Sequence, residues 1–380
     1  MKLQYSTLFL ILSLISYLIA KTNFVIPSSM LQSFGILFLI TAAILGKKKP
    51  PGSMIIVISI ASCFLVIGWV IGSGHIAGLF NAFFILCSFP LAVSLSKSFN
   101  SHAIFWMIIF IILGICFVGL LNGSFSVTYF GDYRTNRWVL GFSRPTFLCE
   151  AMFLMLIALC GVHNKNKFWM VMFPLAISII LAIQFQSGSR AGLGASLLFL
   201  YIAWEGRVLA SHRFYIRFIV TFFVVLVLLS GASKDLNINI LNTLTSGRID
   251  IVIQEVTGNL REPLHWLLGN SNAQDVTLYF NERNGIIYHM DNFYVERLVS
   301  SGLIGIGFII TMTTIFTRGK GRLTRAVVAA LLFYGLFENG IFNITSGFAS
   351  FTLILAAFLA QKSNFFGQEK VKNYHALITP

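Results

Sequence analysis

Long runs of apolar residues recur along nearly the whole chain, and they constrain its fold more than any other feature of the sequence. A helix needs about 20 mostly apolar residues to cross the hydrocarbon core of a bilayer. Hydrophobic residues make up 57% of the chain and charged residues only 11%, so too few charges are present to cover these runs in water. The sequence therefore predicts an all-α, polytopic integral membrane protein with about 12 transmembrane helices, built as a single membrane domain over residues 1–380.

The predicted spans leave two sizeable loops on one face of the membrane. One loop covers about Asn122–Arg144, and the other, about Ala232–Arg297, is the longest polar stretch and is expected to hold short helices. The predicted spans are Tyr5–Ala20, Met30–Gly46, Met54–Ile71, Ile76–Leu95, Ala103–Leu121, Pro145–Gly161, Phe168–Phe185, Ala191–Trp204, Phe214–Ser230, Leu298–Phe316, Ala326–Glu338 and Ser346–Ala360.

The loops between these spans differ sharply in charge. Loops that carry most lysine and arginine stay in the cytoplasm, which predicts that both termini are cytoplasmic and that the two sizeable loops are extracytoplasmic. Seventeen of the 27 basic residues fall on the cytoplasmic side, opposed only by Glu205 and Glu369, so this side carries +15 and the rest of the chain −1. The basic charge thus indicates which loops are cytoplasmic, and we expect no nucleic-acid partner.

The sequence argues against a nucleotide-binding domain, a disulfide framework and a metal site. Cytoplasmic loops are too short for a nucleotide-binding domain, and no P-loop or Rossmann glycine pattern occurs outside a span. All five cysteines lie in or at the ends of apolar runs, which predicts free thiols rather than a disulfide framework or a metal site. Any reaction is therefore expected on the extracytoplasmic face, without metal, ATP, nucleotide sugar or other cofactor.

Ser187-Gly188-Ser189-Arg190-Ala191-Gly192 joins the outer end of one span to the start of the next. Ser189 can cap a helix whose first N–H groups point outward, and an arginine beside such a helix start suits a phosphate. The sequence predicts an anion site at Ser189 and Arg190. The alternative is an arginine that snorkels at the membrane interface.

A second helix start of this kind lies in the long outer loop, at Thr245-Ser246-Gly247-Arg248-Ile249-Asp250. Ser246 can cap a helix with Arg248 in its first turn, and the apolar residues that follow have helical spacing until Pro263. Arg248 is a second candidate for binding phosphate. The alternative is a helix that docks on the membrane surface with a solvated arginine.

The third polar cluster, Tyr288-His289-Met290-Asp291-Asn292-Phe293-Tyr294, precedes a span. Asp291 or Asn292 is expected to cap that helix, which places His289 at the membrane surface beside a carboxylate that can orient it and raise its basicity. A structural histidine is the alternative. Glu338, followed by Asn339, suggests a polar cavity near an outer end. Four residues of the first loop can face the same cavity or simply be solvated: Asp132, Arg134, Arg137 and Arg144.

These motifs together resemble the superfamily of O-antigen polymerases and O-antigen ligases, which are bacterial envelope glycosyltransferases. Three matches occur in the family's order: the Ser-x-Ser-Arg-Ala-Gly helix start at Arg190, the Ser-Gly-Arg helix start at Arg248, and His289-x-x-Asn292 leading to Ser301-Gly302-Leu303-Ile304-Gly305. Glu262-Pro263-Leu264 through Leu268-Gly269 is similar to the family's Pro-Leu-x-Gly stretch, with two or three extra residues. The resemblance covers about Ser187 to Gly307, and the first half matches only in hydropathy.

The resemblance implies a GT-C-like, metal-independent transferase in the bacterial cytoplasmic membrane, with its active site facing the periplasm. Its donor would be a saccharide on undecaprenyl diphosphate, and its pathway partners a flippase and a chain-length regulator. Arg190 and Arg248 would bind the diphosphate in place of a metal ion. His289 would be the base that takes a proton from the acceptor hydroxyl, with Asp291 as its orienter or as base in its place.

The acceptor separates the possible functions. A polymerase joins one lipid-linked repeat unit to another, whereas a ligase transfers the chain to lipid A-core; we expect a polymerase, because polymerases are the more abundant. A lipid-linked oligosaccharide flippase usually shows internal repeats and midplane charges. We find no convincing repeat, and Glu150 and Glu338 are the only acidic residues within predicted spans. A cell-wall glycan polymerase would lack the match at His289.

Overall fold

The computed structural model describes the chain in segments. They are residues 5–23, 28–46, 49–71, 76–97, 101–127, 137–162, 167–204, 256, 258, 260–269, 278–281, 286–289, 292–338, 341–342 and 344–360. Asp132, Arg134, Arg248 and Asp291 lie outside these segments, as does the predicted span Phe214–Ser230.

Helices occupy every predicted span that falls on described residues. In chain order the helices are α1 Tyr5–Ala20, α2 Ser28–Leu45, α3 Gly52–Ile71, α4 Ile76–Ser96, α5 Ser101–Leu121, α6 Pro145–Val162, α7 Lys167–Ser187, α8 Arg190–Trp204, α9 Pro263–Leu268, α10 Phe293–Thr317, α11 Arg322–Tyr334 and α12 Gly347–Ala360. Two short antiparallel strand pairs accompany them, namely β1 Ser126–Val127 with β2 Arg137–Trp138, and β3 Leu278–Asn281 with β4 Ile286–His289.

The helices have the composition of a membrane protein. Within the described segments, α2, α3, α5, α6 and α10 are long and apolar enough to cross a bilayer by length and composition. Large apolar side chains remain exposed on the outer helices, for example Ile44 at 77%, Ile56 at 61% and Phe110 at 65%. Such surfaces are unfavourable in water and favourable in lipid. The architecture is therefore consistent with an all-α membrane protein, while the number of spans and their orientation stay predictions.

Helix α6 lies at the centre of the packing, and most of its side chains are buried. It packs against α5, α7 and α8, and α8 in turn packs along α11. Arg322 Nη1 donates to the Trp204 carbonyl oxygen at 3.2 Å, and Gly194 lies against the Phe333 ring. These two contacts show that α8 and α11 run antiparallel. The start of α8 therefore lies beside the end of α11.

Helix α10 is broken, although the apolar run Leu298–Phe316 predicts an uninterrupted span. Gly302 has φ +58° and ψ −162°, which is not helical, and it divides the helix into two segments. The short helix α9 packs against this break. A side chain at Gly302 would overlap the backbone of Leu267 and Gly269, so glycine is required for α9 to pack this closely at the break. The helix also begins at Phe293, so the long loop ends earlier than Arg297.

Candidate functional site

One end of the helical bundle gathers most of the polar residues that the sequence singles out. The segment after β2 is fastened there, because the Asn23 amide donates to the Gly141 carbonyl at 3.2 Å and the Ser143 hydroxyl donates to the Lys21 carbonyl at 3.0 Å. The turn between α7 and α8, the end of α11 and the start of α10 meet at the same end. We call this group of turns and helix ends the polar end.

Arg190 is the first residue of α8 and is exposed, while Ser189 before it is buried. The Leu193 amide donates to the Ser189 carbonyl at 3.1 Å, which closes the first turn and places Ser189 at the helix start. Gly188 turns the chain with φ +70°, a conformation that favours glycine. The structure therefore confirms the predicted helix start at Arg190. The anion-binding role of Arg190 stays a prediction.

Arg137 packs directly on this turn. Its Cδ and Nε atoms lie 3.4 Å from the position that a Cβ atom on Gly188 would occupy. A glycine is thus favoured at this point for its backbone conformation, and the Arg137 side chain lies within ordinary van der Waals reach of a methyl group placed there. The structure brings the arginine of the first loop to the turn that precedes Arg190, which the sequence could not reveal because the two are more than fifty residues apart.

Buried polar groups of α6 and α7 hold the same turn in place. Gln184 Nε2 donates to the Cys149 carbonyl at 3.2 Å, and the Ser187 hydroxyl donates to the Gln184 carbonyl at 2.7 Å. The Cys149 thiol donates to the Ser189 carbonyl at 3.8 Å. Gln184 Oε1 is buried and has no hydrogen-bond partner among the residues described. The turn is therefore fixed on its inner side, and Arg190 remains exposed on its outer side.

Glu150 and Tyr334 form the innermost polar pair of this end. The Tyr334 hydroxyl donates to Glu150 Oε1 at 3.1 Å, which joins α6 to the last turn of α11. A carboxylate surrounded by apolar residues is costly in a membrane and usually marks a functional site. Glu150 entered the sequence analysis only as an ionisable residue within a span. Tyr334 gave no signal at all, because tyrosine is common at helix ends in membrane proteins.

Lys21 faces Glu150 across an apolar cavity. Both residues line it, together with the aromatic side chains of Tyr17, Phe142 and Phe147, among others. The Lys21 ammonium lies 3.7 Å from the centre of the Phe147 ring, which is a cation–π contact. No ion pair within 4 Å joins Lys21 to Glu150, although the structure describes both residues. A cation and a carboxylate therefore border one cavity without neutralising each other at contact.

Asn292 connects the third motif to this end. Its side-chain oxygen accepts from the Tyr294 and Val295 amides, each at 3.1 Å, so Asn292 is the N-cap that the sequence predicts for α10. Its Nδ2 donates to the Leu336 carbonyl at 3.0 Å. Glu338 lies two residues further along, half-buried, with its amide bonded to the Tyr334 carbonyl at 3.1 Å. Asn292, Glu338 and Tyr334 thus belong to one turn region.

The remaining predicted residues are distributed as follows. His289 is the last residue of β4, and its backbone pairs with that of Leu278 in β3. Arg144 lies over the Phe147 ring, with its Cζ 5.8 Å from the ring centre. Arg248, Asp291, Asp132 and Arg134 lie outside the described segments, and their predicted roles stay predictions. The five cysteines are free thiols.

No protein-family model matches this chain, and no curated protein resembles it closely enough in sequence to indicate a relationship. The polar end must therefore be interpreted from its own chemistry. It presents Arg137 beside the Gly188 turn, Arg190 at the start of α8, the half-buried Glu150 carboxylate and a lysine beside an aromatic cavity. Guanidinium groups at a helix start suit a phosphate or diphosphate, and a cavity with a cation, a carboxylate and aromatic rings suits a polyhydroxylated group.

Proposed function

We propose that this protein is a surface-polysaccharide polymerase of the O-antigen type, in the cytoplasmic membrane of a bacterium. It transfers a saccharide from undecaprenyl diphosphate to a lipid-linked repeat unit on the extracytoplasmic face. The observation that carries the proposal is the packing of Arg137 on the Gly188 turn directly before Arg190 at the start of α8. In this proposal Arg137, beside the turn, and Arg190, at the helix start, supply the positive charge that a diphosphate requires without a metal ion.

The orientation follows from the distribution of basic residues at the opposite end of the bundle. Arg318 and Lys320 follow α10, Arg322 and Arg325 lie in the first turn of α11, and Lys97 follows α4. This end carries no acidic residue within the described segments. Loops rich in lysine and arginine stay cytoplasmic, so the polar end faces the periplasm, where lipid-linked repeat units are used.

The reaction is a single displacement at the anomeric carbon of the donor sugar. The acceptor hydroxyl oxygen forms the new glycosidic bond, the bond from the anomeric carbon to the diphosphate oxygen breaks, and undecaprenyl diphosphate leaves with the electron pair. The hydroxyl proton passes to the imidazole of His289, with Asp291 as its orienter. Such a displacement inverts the configuration at the anomeric carbon.

In this proposal the arginines bind the diphosphate, and other polar groups bind the sugar. Arg137, Arg190 and Arg248 hold the diphosphate and stabilise the charge that develops on it as the bond breaks. Ser189 directly precedes the helix whose free N–H groups point at the same anion. Glu150 and Lys21 offer an acceptor and a donor to sugar hydroxyls at the inner wall of the polar end.

The test is the surface polysaccharide made by cells that lack the native copy and carry a single variant. R190A and R137A are expected to leave only single repeat units attached to core, while R318A, an arginine removed at the opposite end, gives normal chains. Variant levels in the membrane are measured alongside. Loss of all attached repeats, with lipid-linked polymer accumulating, would identify a ligase. Normal long chains from both R190A and R137A would disprove the proposed site.

A further inference from the structure

Helix α8 carries a stripe of exposed apolar side chains. Leu197, Tyr201 and Trp204 are 50%, 53% and 52% exposed, whereas Phe199 and Ile202 between them are buried. Their spacing of four and then three residues places the three exposed side chains on one face of the helix, over about 10 Å of its length. We call these three side chains the α8 stripe. Such a face is unfavourable in water and favourable in lipid, so we expect lipid chains to lie against it.

The aromatic residues of the α8 stripe mark the level of the lipid head groups. Tyrosine and tryptophan collect at membrane interfaces, because each has an apolar ring system and one polar group. Tyr201 and Trp204 lie in the last turn of α8, and Trp204 is its last residue. The Trp204 ring packs on Phe173 of α7, with 5.7 Å between the ring centres, so the bundle holds it in place. We therefore expect this end of the stripe to lie beside lipid phosphates rather than among lipid tails.

Two basic residues lie at this end of the α8 stripe. Arg322 is exposed, and its Nη1 donates to the Trp204 carbonyl at 3.2 Å, which holds the guanidinium beside the end of α8. Lys320 is half-buried two residues earlier, where its amide donates to the Thr317 carbonyl at 3.1 Å. Neither residue forms an ion pair within the part of the chain that the structure describes. A guanidinium has five N–H donors, so Arg322 keeps donors for an anion.

We propose that Lys320 and Arg322 bind the head group of an anionic phospholipid in the leaflet at this end of the bundle, with a lipid chain along the α8 stripe. Arginine binds a phosphate in two-pronged geometry, and lysine adds a second positive charge. A zwitterionic phospholipid carries an ammonium group of its own, which the two cations repel. The surface therefore selects a lipid whose head group has a net negative charge.

Trp204 provides a fluorescent probe within the proposed site. The full-length protein is reconstituted in phosphatidylcholine vesicles that contain a rising fraction of brominated phosphatidylglycerol or brominated phosphatidylcholine, which quench nearby tryptophans. The chain has six tryptophans, so the Trp204 signal is the difference between the unsubstituted protein and W204F. K320Q and R322Q each remove one cation. K97Q is the matched control, because Lys97 is an exposed lysine just after α4 at the same end of the bundle.

We expect phosphatidylglycerol to quench Trp204 at a mole fraction about 20-fold lower than phosphatidylcholine does. K320Q and R322Q should each reduce this preference about fivefold, the scale for one basic residue at an anionic membrane surface, and K97Q should leave it unchanged. Equal quenching by the two lipids, or an unchanged preference in K320Q or R322Q, would overturn the inference. Loss of the preference on adding inorganic phosphate, but not chloride at equal ionic strength, would also overturn it, because the site would then bind phosphate without lipid.

The lipid site does not depend on the proposed function, because Lys320 and Arg322 lie at the opposite end of α8 from Arg190. Melting temperatures establish that each variant is folded. K320Q keeps the test decisive where R322Q fails to fold, because no hydrogen bond of the Lys320 side chain occurs within the described segments. Lipid preference together with normal polymer from R190A and R137A would keep the lipid site and remove the polymerase.

Discussion

Gly269 and Gly302 lie backbone against backbone, and both have positive φ, +84° and +58° respectively. A Cβ atom on Gly302 would overlap the Gly269 amide and the Leu267 carbonyl, and a Cβ atom on Gly269 would overlap the backbone of Ser300 and Ser301. This contact seats α9 in the break of α10. It explains why a glycine ends the short helix and why another interrupts an otherwise apolar span.

Replacing Gly302 with alanine is expected to destabilise the protein by about 1–3 kcal/mol, from the disfavoured φ alone, with further loss from the clash with α9. G307A is the matched control in the same helix, because nothing lies within 4 Å of the added methyl group. Alanine is a better helix former than glycine, so G307A should be neutral or stabilising. Thermal unfolding in detergent measures both. Equal melting temperatures for the two variants would contradict the contact.

Asn292 joins two roles that substitutions can separate. N292A removes the N-cap of α10 and the bond to the Leu336 carbonyl, so it should cost about 1–2 kcal/mol. N292D keeps the capping oxygen but loses the donor to Leu336, so an intermediate loss is expected. Unfolding of the three proteins under one condition provides the measurement. A melting temperature for N292D at or below that of N292A would show that the cap contributes little.

The hydrogen bond from Tyr334 to Glu150 is expected to stabilise the packing of α11 on α6. Y334F should lower the free energy of unfolding by about 1–3 kcal/mol, because it leaves the half-buried Glu150 carboxylate without this donor. In the E150Q background the same change should cost less, since an amide oxygen is a weaker acceptor than a carboxylate. A double-mutant cycle isolates the difference. A coupling energy near zero would show that the pair is energetically unimportant.

Arg190 is exposed at the start of α8, so its removal should affect the reaction far more than the fold. R190A is expected to lower the rate of polymer formation in membranes by about 100-fold or more, the scale for loss of one group that stabilises transition-state charge. R190K should recover part of the rate, because lysine keeps the charge but not the two-pronged geometry. R318A, with unchanged rate, is the control. An unaltered rate in R190A would remove this arginine from the mechanism.

The proposed orientation can be checked with single cysteines and a membrane-impermeant maleimide. Asn122, just after α5, and Arg318, just after α10, are both exposed at helix ends. N122C should react in intact spheroplasts, whereas R318C should react only after the membrane is opened. The unsubstituted protein reports the background from its five native thiols. The reverse pattern would invert the topology and place the polar end in the cytoplasm.

Hydropathy alone located the helices, because each run must bury its backbone polar groups within itself when the solvent is lipid. Local chemistry also placed the start of α8 at Arg190 and limited the cap of α10 to Asp291 or Asn292, since capping depends only on neighbouring residues. The break at Gly302 was missed, because nothing in the run Leu298–Phe316 lowers its hydropathy. The backbone of α9 packs at this break, and α9 comes from a different part of the chain.

The sequence by itself determined the solvent of this protein, the positions of its helices and the sorting of its charges. These properties depend on composition and on local spacing, and they need no knowledge of which helix meets which. Only the tertiary structure decided that Arg137 lies on the Gly188 turn, that Glu150 meets Tyr334 and that Gly302 meets Gly269. Each of these contacts joins residues far apart in the chain, and in lipid, helix pairing is chosen by close packing rather than by hydrophobicity.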